Sequence, residues 1–140
     1  MNLTFNTETI RLITLFERIT HAPVKDCLLV NDMNTVYFII EEGKIGVAIG
    51  KNGNSVKHAE RVIGKTIKLF EFSKDIVSFA KKIIPQATAI KVRNEDGEVT
   101  VEVHVEKKNR PIVIGRGGRN LRIYKELFKR NQKVDDLVIR

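Results

Sequence analysis

The chain has 140 residues, 42% of them hydrophobic, which is enough for one compact core or two small ones and too apolar for a disordered chain. Its single cysteine, Cys27, excludes an internal disulfide and a cysteine-based zinc site. The start Met1-Asn2-Leu3-Thr4-Phe5 lacks a basic leader followed by a long apolar run, and no stretch approaches membrane-spanning length, so the expectation is a soluble, cytoplasmic protein with no membrane partner.

Net charge is +8 with a pI near 9.7, and its placement says more than its sum. Residues 1–49 carry −2, residues 50–70 carry +4, residues 71–106 carry −2, residues 107–130 carry +8, and the last ten balance. Two windows therefore hold the positive excess, and a field focused there attracts a polyanion, most often a nucleic acid.

In chain order, Leu12, Leu15, Phe16 and Ile19 recur at helical spacing within Thr9–Thr20, with Arg11, Thr14, Glu17 and Arg18 on the other side. His21-Ala22-Pro23 ends this helix, because the residue before a proline is pushed out of helical dihedrals. Val24–Val30 and Thr35–Glu41 are β-rich runs around the polar tetrad Asn31-Asp32-Met33-Asn34, the pattern of a hairpin. Glu42-Gly43-Lys44 breaks the strand, and a short apolar run, Ile45–Ile49, leads to Gly50-Lys51-Asn52-Gly53. Val56, Ala59, Val62 and Ile63 then mark a helix over Asn54–Ile63 that stops at Gly64, and Thr66–Phe72 alternates as a strand.

At Ser73 the order begins again. Ser73 is the expected N-cap and Asp75 suits the positive start of a helix running to Ile84 before Pro85. Ala87–Arg93 and Glu98–Glu106 form a second hairpin about Asn94-Glu95-Asp96-Gly97. Val99, Val101, Val103 and Val105 lie on its buried face, and Thr100, Glu102, His104 and Glu106 on its polar one. Lys107–Pro111 leads through Ile112-Val113-Ile114 to Gly115-Arg116-Gly117-Gly118. A basic helix follows with Leu121, Tyr124, Leu127 and Phe128 toward the core, ending near Asn131, and Val134–Ile139 is the closing strand.

Both halves read helix, strand, strand, short helix, Gly-x-x-Gly, helix, strand, with the loops 65 residues apart. The boundary falls between residues 73 and 74 with no flexible spacer, so the two units are expected to be held closely. Glycine in such a loop admits close approach of a ligand, the bases add charge, and the start of the next helix offers unpaired N–H groups to phosphate. The flanking aliphatics, Ile49 with Val56 and Ile114 with Leu121, wall a shallow groove for unpaired bases.

The runs Ile49-Gly50-Lys51-Asn52-Gly53-Asn54-Ser55-Val56-Lys57 and Val113-Ile114-Gly115-Arg116-Gly117-Gly118-Arg119-Asn120-Leu121-Arg122 both resemble the K-homology (KH) signature Ile-Gly-x-x-Gly-x-x-aliphatic-basic, a module that clamps about four nucleotides of backbone at this loop. The helix-first order is similar to the type II, prokaryotic form. Two such units in tandem, covering almost the whole chain, resemble the short archaeal form of the NusA-like transcription factors. The resemblance implies an α+β fold of two type II KH domains, residues 1–73 and 74–140, each a three-stranded mixed sheet packed on three helices. It also implies single-stranded RNA as ligand, a role in transcription termination or antitermination, and the RNA polymerase elongation complex as partner. Bacterial relatives carry a polymerase-binding N-terminal domain and an S1 domain, for which these 140 residues leave no room.

The expected RNA-binding set is Ile49, Gly50, Lys51, Asn52, Gly53, Val56, Lys57 and Arg61 at the first loop, and Ile114, Gly115, Arg116, Gly117, Gly118, Arg119, Leu121 and Arg122 at the second. No cofactor and no catalysis are expected. Gly46–Asn52 approaches a Walker A loop but has three residues between its glycines where four are required, and Asn52 stands where Ser or Thr binds magnesium. His21, His58 and His104 fall in different elements, and Cys27 reads as a strand packing residue. With no Trp and only Tyr37 and Tyr124 beside the phenylalanines, the chain lacks the aromatic stacking platform of an RRM or of many OB-folds. The alternative is a KH scaffold docking on polymerase or ribosome with incidental RNA contact.

Overall fold

Asn6 opens the first helix. Its side-chain oxygen accepts hydrogen bonds from the N–H groups of Glu8 and Thr9 at 2.9 and 3.4 Å, and the Thr9 hydroxyl oxygen accepts one from the Asn6 N–H at 2.8 Å, closing a capping box around two orphan donors. Helix α1 therefore spans Thr7–Thr20, two residues more than its apolar stripe indicates. His21 ends it in the left-handed region at φ 62°, its N–H donating to the Glu17 carbonyl at 2.8 Å. The computed structural model describes residues 3–4 and 6–140, and the chain divides into two units, Met1–Phe72 and Ser73–Arg140.

In the first unit, β2 (Val24–Val30) and β3 (Thr35–Ile40) form the expected antiparallel hairpin, and β4 (Thr66–Glu71) lies parallel to β3. Parallel neighbours need a crossover. It is built from α2 (Ile45–Ile49), the first glycine loop and α3 (Asn54–Ile63), which stops at Gly64 in the left-handed region. A fourth strand, β1 (Leu3–Thr4), pairs antiparallel with β2 and gives the order β1-β2-β3-β4. This corrects the expected three-stranded sheet; two residues are too short to show a period in the sequence. Leu12 and Phe16 of α1 meet Cys27, Leu29, Val36, Phe38, Ala48, Ala59 and Ile67 in one buried cluster, with the Phe16 and Phe38 rings stacked at 4.3 Å. Cys27 is thus a packing residue.

The second unit repeats the plan with α4 (Ile76–Ile83), β5 (Ala87–Glu95), β6 (Glu98–Val105), α5 (Arg110–Ile114), α6 (Arg119–Gln132) and β7 (Asp136–Ile139). Its sheet order is β5-β6-β7, antiparallel then parallel. Three local expectations change. The N-cap of α4 is Asp75, whose carboxylate accepts from the Ser78 N–H at 2.9 Å, while Ser73 is buried and its carbonyl accepts from Gln132 Nε2 at 2.6 Å. The hairpin turn shrinks to Asp96-Gly97, both at positive φ (53° and 81°). Such a two-residue turn matches the twist of its strands, so Asn94 and Glu95 join β5. On α6, Ile123 takes a core position with Leu127 and Phe128, and Leu121 and Tyr124 are half-buried. Phe128 packs edge-on against Phe79 of α4 at 5.2 Å between centroids.

The polar face of β6 is not simply solvated. Glu102 is nearly buried and is held by His104 Nε2 at 2.8 Å, Arg93 Nη2 at 3.3 Å and Arg140 Nε at 3.6 Å. Burial pushes its carboxyl upward, but the His104 hydrogen bond and the two guanidinium charges outweigh that and hold it below the ordinary carboxylate value.

Candidate nucleic-acid interface

Each glycine loop is a sharp join between a five-residue helix and a longer amphipathic one. Gly50 and Gly115 leave their helices at φ/ψ of 77°/173° and 77°/165°, a region open essentially to glycine alone. Space repeats the demand: a Cβ on Gly50 would lie 2.8 Å from the Ser55 backbone nitrogen, and one on Gly115 would lie 3.0 Å from that of Asn120. The third loop position is left-handed in both, at 56°/27° for Asn52 and 63°/21° for Gly117, and the fourth follows at 74°/14° and 75°/18°. Asparagine tolerates that region better than other non-glycine residues, which accounts for its use in the first loop.

The backbone bonds coincide as well. Gly50 and Gly115 donate to Gly46 and Pro111 carbonyls at 2.9 Å each, and Gly53 and Gly118 donate back to Gly50 and Gly115 at 3.1 and 3.0 Å. Pro111 sits in the first turn of α5, where its missing N–H has no helical partner to lose. The two loops therefore have one backbone shape written in different residues.

Helix starts separate the four long helices into two kinds. Asn6 caps α1 and Asp75 caps α4 with side-chain oxygens. The N-caps of α3 and α6 are Gly53 and Gly118, and neither helix has a side-chain hydrogen bond at its start. The N–H groups of Asn54 and Arg119, the first residues of the two helices, donate to the Lys51 and Arg116 carbonyls; no side chain occupies the later N–H groups of the first turn, where the positive end of the helix dipole favours an anion.

Around these starts the structure distributes the sequence-predicted residues unevenly. Lys51, Asn52, Lys57 and Arg61 are exposed at the first loop and along α3, and Arg116, Gly117, Arg119 and Arg122 are exposed at the second. Arg61 stands eight residues past Gly53, about 12 Å along the helix, so it faces a different part of any ligand from Lys51. Ile49 is 40% exposed, Val56 packs against the core, and Ile114 and Leu121 are half-buried. Arg122 turns back, its Nη1 donating to the Gly117 carbonyl at 2.7 Å.

Two kinds of residue escaped the sequence reading. Asn120 donates from Nδ2 to the Ile112 carbonyl at 3.1 Å and ties α6 to α5; its place five residues after Gly115, where Ser55 follows Gly50, was the available signal. Val47 and Ile112 are 46% and 64% exposed at matching positions ahead of the two loops, and the 65-residue offset pairs them. The run that approaches a Walker A loop is interrupted, since Gly46 to Ile49 lie inside α2. Among the described residues no helix is long and apolar enough to cross a membrane.

The KH domain family matches residues 11–77. Curated relatives share the name "Probable transcription termination protein NusA", and the one from Methanocaldococcus jannaschii is 36% identical over 135 residues, spanning 95% of this chain and 73% of its own. The chain belongs to the archaeal NusA-like family. A NusA relative of the same name from Methanococcus vannielii is 37% identical over 123 residues, 86% of this chain and 70% of that one. The crystal structure of APE1850 is similar with a TM-score of 0.81 at 29% identity, covering 97% of this chain and all of that one. The NusA-like match takes in both units, whereas the KH match ends just inside the second. The KH-like character of the second unit rests on its repeated element order and loop shape.

Proposed function

We propose that the chain binds single-stranded RNA through two type II KH domains, residues 1–73 and 74–140, and acts in transcription termination or antitermination. The observation that carries this reading is the pair of uncapped helix starts, each behind a Gly-x-x-Gly loop of one shape and beside exposed cations. The relatives' names supply the process, and the order helix, strand, strand, helix, loop, helix, strand supports the type II assignment. On this reading the phosphates of the strand sit against Gly50–Gly53 and Gly115–Gly118, with Lys51, Lys57, Arg61, Arg116 and Arg119 around them. Ile49, Val56, Ile114 and Leu121 border the bases, and the RNA polymerase elongation complex is the partner.

The test is affinity for a single-stranded RNA as a function of salt, for the parent and for Lys51→Asp/Asn52→Asp, Arg116→Asp/Gly117→Asp and the combined variant. If about six phosphates are engaged, log affinity falls against log salt with a slope of roughly 4, and the combined variant loses most of the binding. A flat salt response, or a folded combined variant that binds as the parent does, sinks the proposal.

A further inference from the structure

The two loops share a backbone but are held differently, and the difference falls on one side chain. In the second loop three of four positions are glycine, the composition with the most conformational freedom to lose. There Arg122 Nη1 donates to the Gly117 carbonyl at 2.7 Å. Its guanidinium lies over the last glycine, with Nη1 3.4 Å from where a Cβ on Gly118 would be. In the first loop Asn52 stands at the third position, where the second loop has Gly117, and Lys57 stands where Arg122 does. The Lys57 stem runs past Gly53 at 3.6 Å from the corresponding point, and among the described residues its ammonium makes no hydrogen bond to the loop. The stiffer loop lacks the clamp and the softer loop has it.

We infer that Arg122 is a positioning residue for the second loop, resting on the RNA reading above. It locks Gly115–Gly118 into the anion-accepting shape by tying up the Gly117 carbonyl, and this matters more than any charge it presents to a phosphate. The asymmetry follows from chemistry. A planar guanidinium has donors in a fixed fork, so it can hold a carbonyl and still face solvent, whereas an ammonium on a flexible stem gains less from the same reach.

The discriminating comparison is Arg122→Met, which removes the donors and the charge but keeps the stem, against Arg122→Met/Gly117→Asn, which adds no charge but restores the residue type that stiffens the first loop. Two quantities are measured on the full chain: amide hydrogen exchange at Gly115–Arg119, and affinity for a single-stranded oligoribonucleotide across salt. Arg122→Met is expected to speed exchange in the loop and to weaken RNA binding by about three- to tenfold, the range of one net hydrogen bond. Adding Gly117→Asn is expected to slow exchange again and recover most of the affinity. The inference is overturned if Arg122→Met leaves exchange unchanged, or if affinity returns only when charge is restored by Arg122→Lys and not with Gly117→Asn. Arg116→Asp separates the two readings. If that variant binds RNA as the parent does, the RNA assignment of this loop fails, while the exchange rates still report whether Arg122 sets its shape.

Discussion

Gly50 and Gly115 carry a demand that the other loop glycines do not. Their backbone lies where a side chain is strained by about 1–3 kcal/mol, and a Cβ there would press on the backbone of Ser55 or Asn120, which has nowhere to move without unwinding the helix start. Gly50→Ala and Gly115→Ala are therefore expected to destabilise their units by at least that amount in urea denaturation, whereas Gly117→Asn, in a left-handed position with open space around it, is expected to change stability little. A second residue, Glu102, makes stability depend on pH. Its carboxyl is held below the ordinary value of 4.5 in the folded chain, so its stabilising contribution is complete above that value and disappears as pH falls through the lowered folded one. Glu102→Gln should be less stable than the parent at pH 7 and should converge with it in acid, as thermal melts across pH will show. A gap that persists at low pH would mean that packing, not charge, accounts for Glu102.

Elements differ in how openly the sequence announces them. The α1 stripe, the apolar runs of β2 and β3 and the strict alternation of β6 were legible because burial imposes a period of 3.6 or 2, or none at all when both faces are covered. Boundaries were harder, because they are decided by single hydrogen bonds. Ser73 and Asp75 are both good N-caps by type, and only the path of the chain, which buries Ser73, chooses between them. Asn6 was overlooked for the opposite reason: its box closes through Thr9 where Glu or Gln is the usual partner. Asn6→Ala is expected to cost about 1 kcal/mol, measurable as a lower urea midpoint with an unchanged slope. The buried face of α6, which takes Ile123 rather than Leu121 into the core, could not be read from a helix with apolar residues on more than one side. Leu121 is thereby left half-buried beside the loop.

For the whole chain, charge and architecture do not repeat together. The two units share an element order, yet residues 1–72 hold nine bases against eight acids and residues 73–140 hold sixteen against nine, so nearly all of the net charge belongs to the second. The duplicated loops and this imbalance were both legible in the sequence; the sameness of the loop backbones was not, since Lys-Asn and Arg-Gly look unlike until their dihedrals are compared. The encounter with a polyanion is steered by the most positive region of the chain, and this attraction is screened by salt. Arg116→Asp/Gly117→Asp should therefore reduce the RNA association rate at low salt more than Lys51→Asp/Asn52→Asp, with the two approaching each other as salt rises, a comparison for stopped-flow mixing. Equal effects at low salt would show that the second unit does not steer the encounter.

The bare starts of α3 and α6 also set a conflict between durability and use. A side-chain oxygen supplied to those amides would strengthen either helix, as Asn6 and Asp75 strengthen theirs, and would at the same moment occupy the groups that the proposed RNA reading assigns to phosphate. Selection for heat resistance alone would be drawn to these two positions, and the survivors would be sturdier proteins with their glycine loops already filled from within.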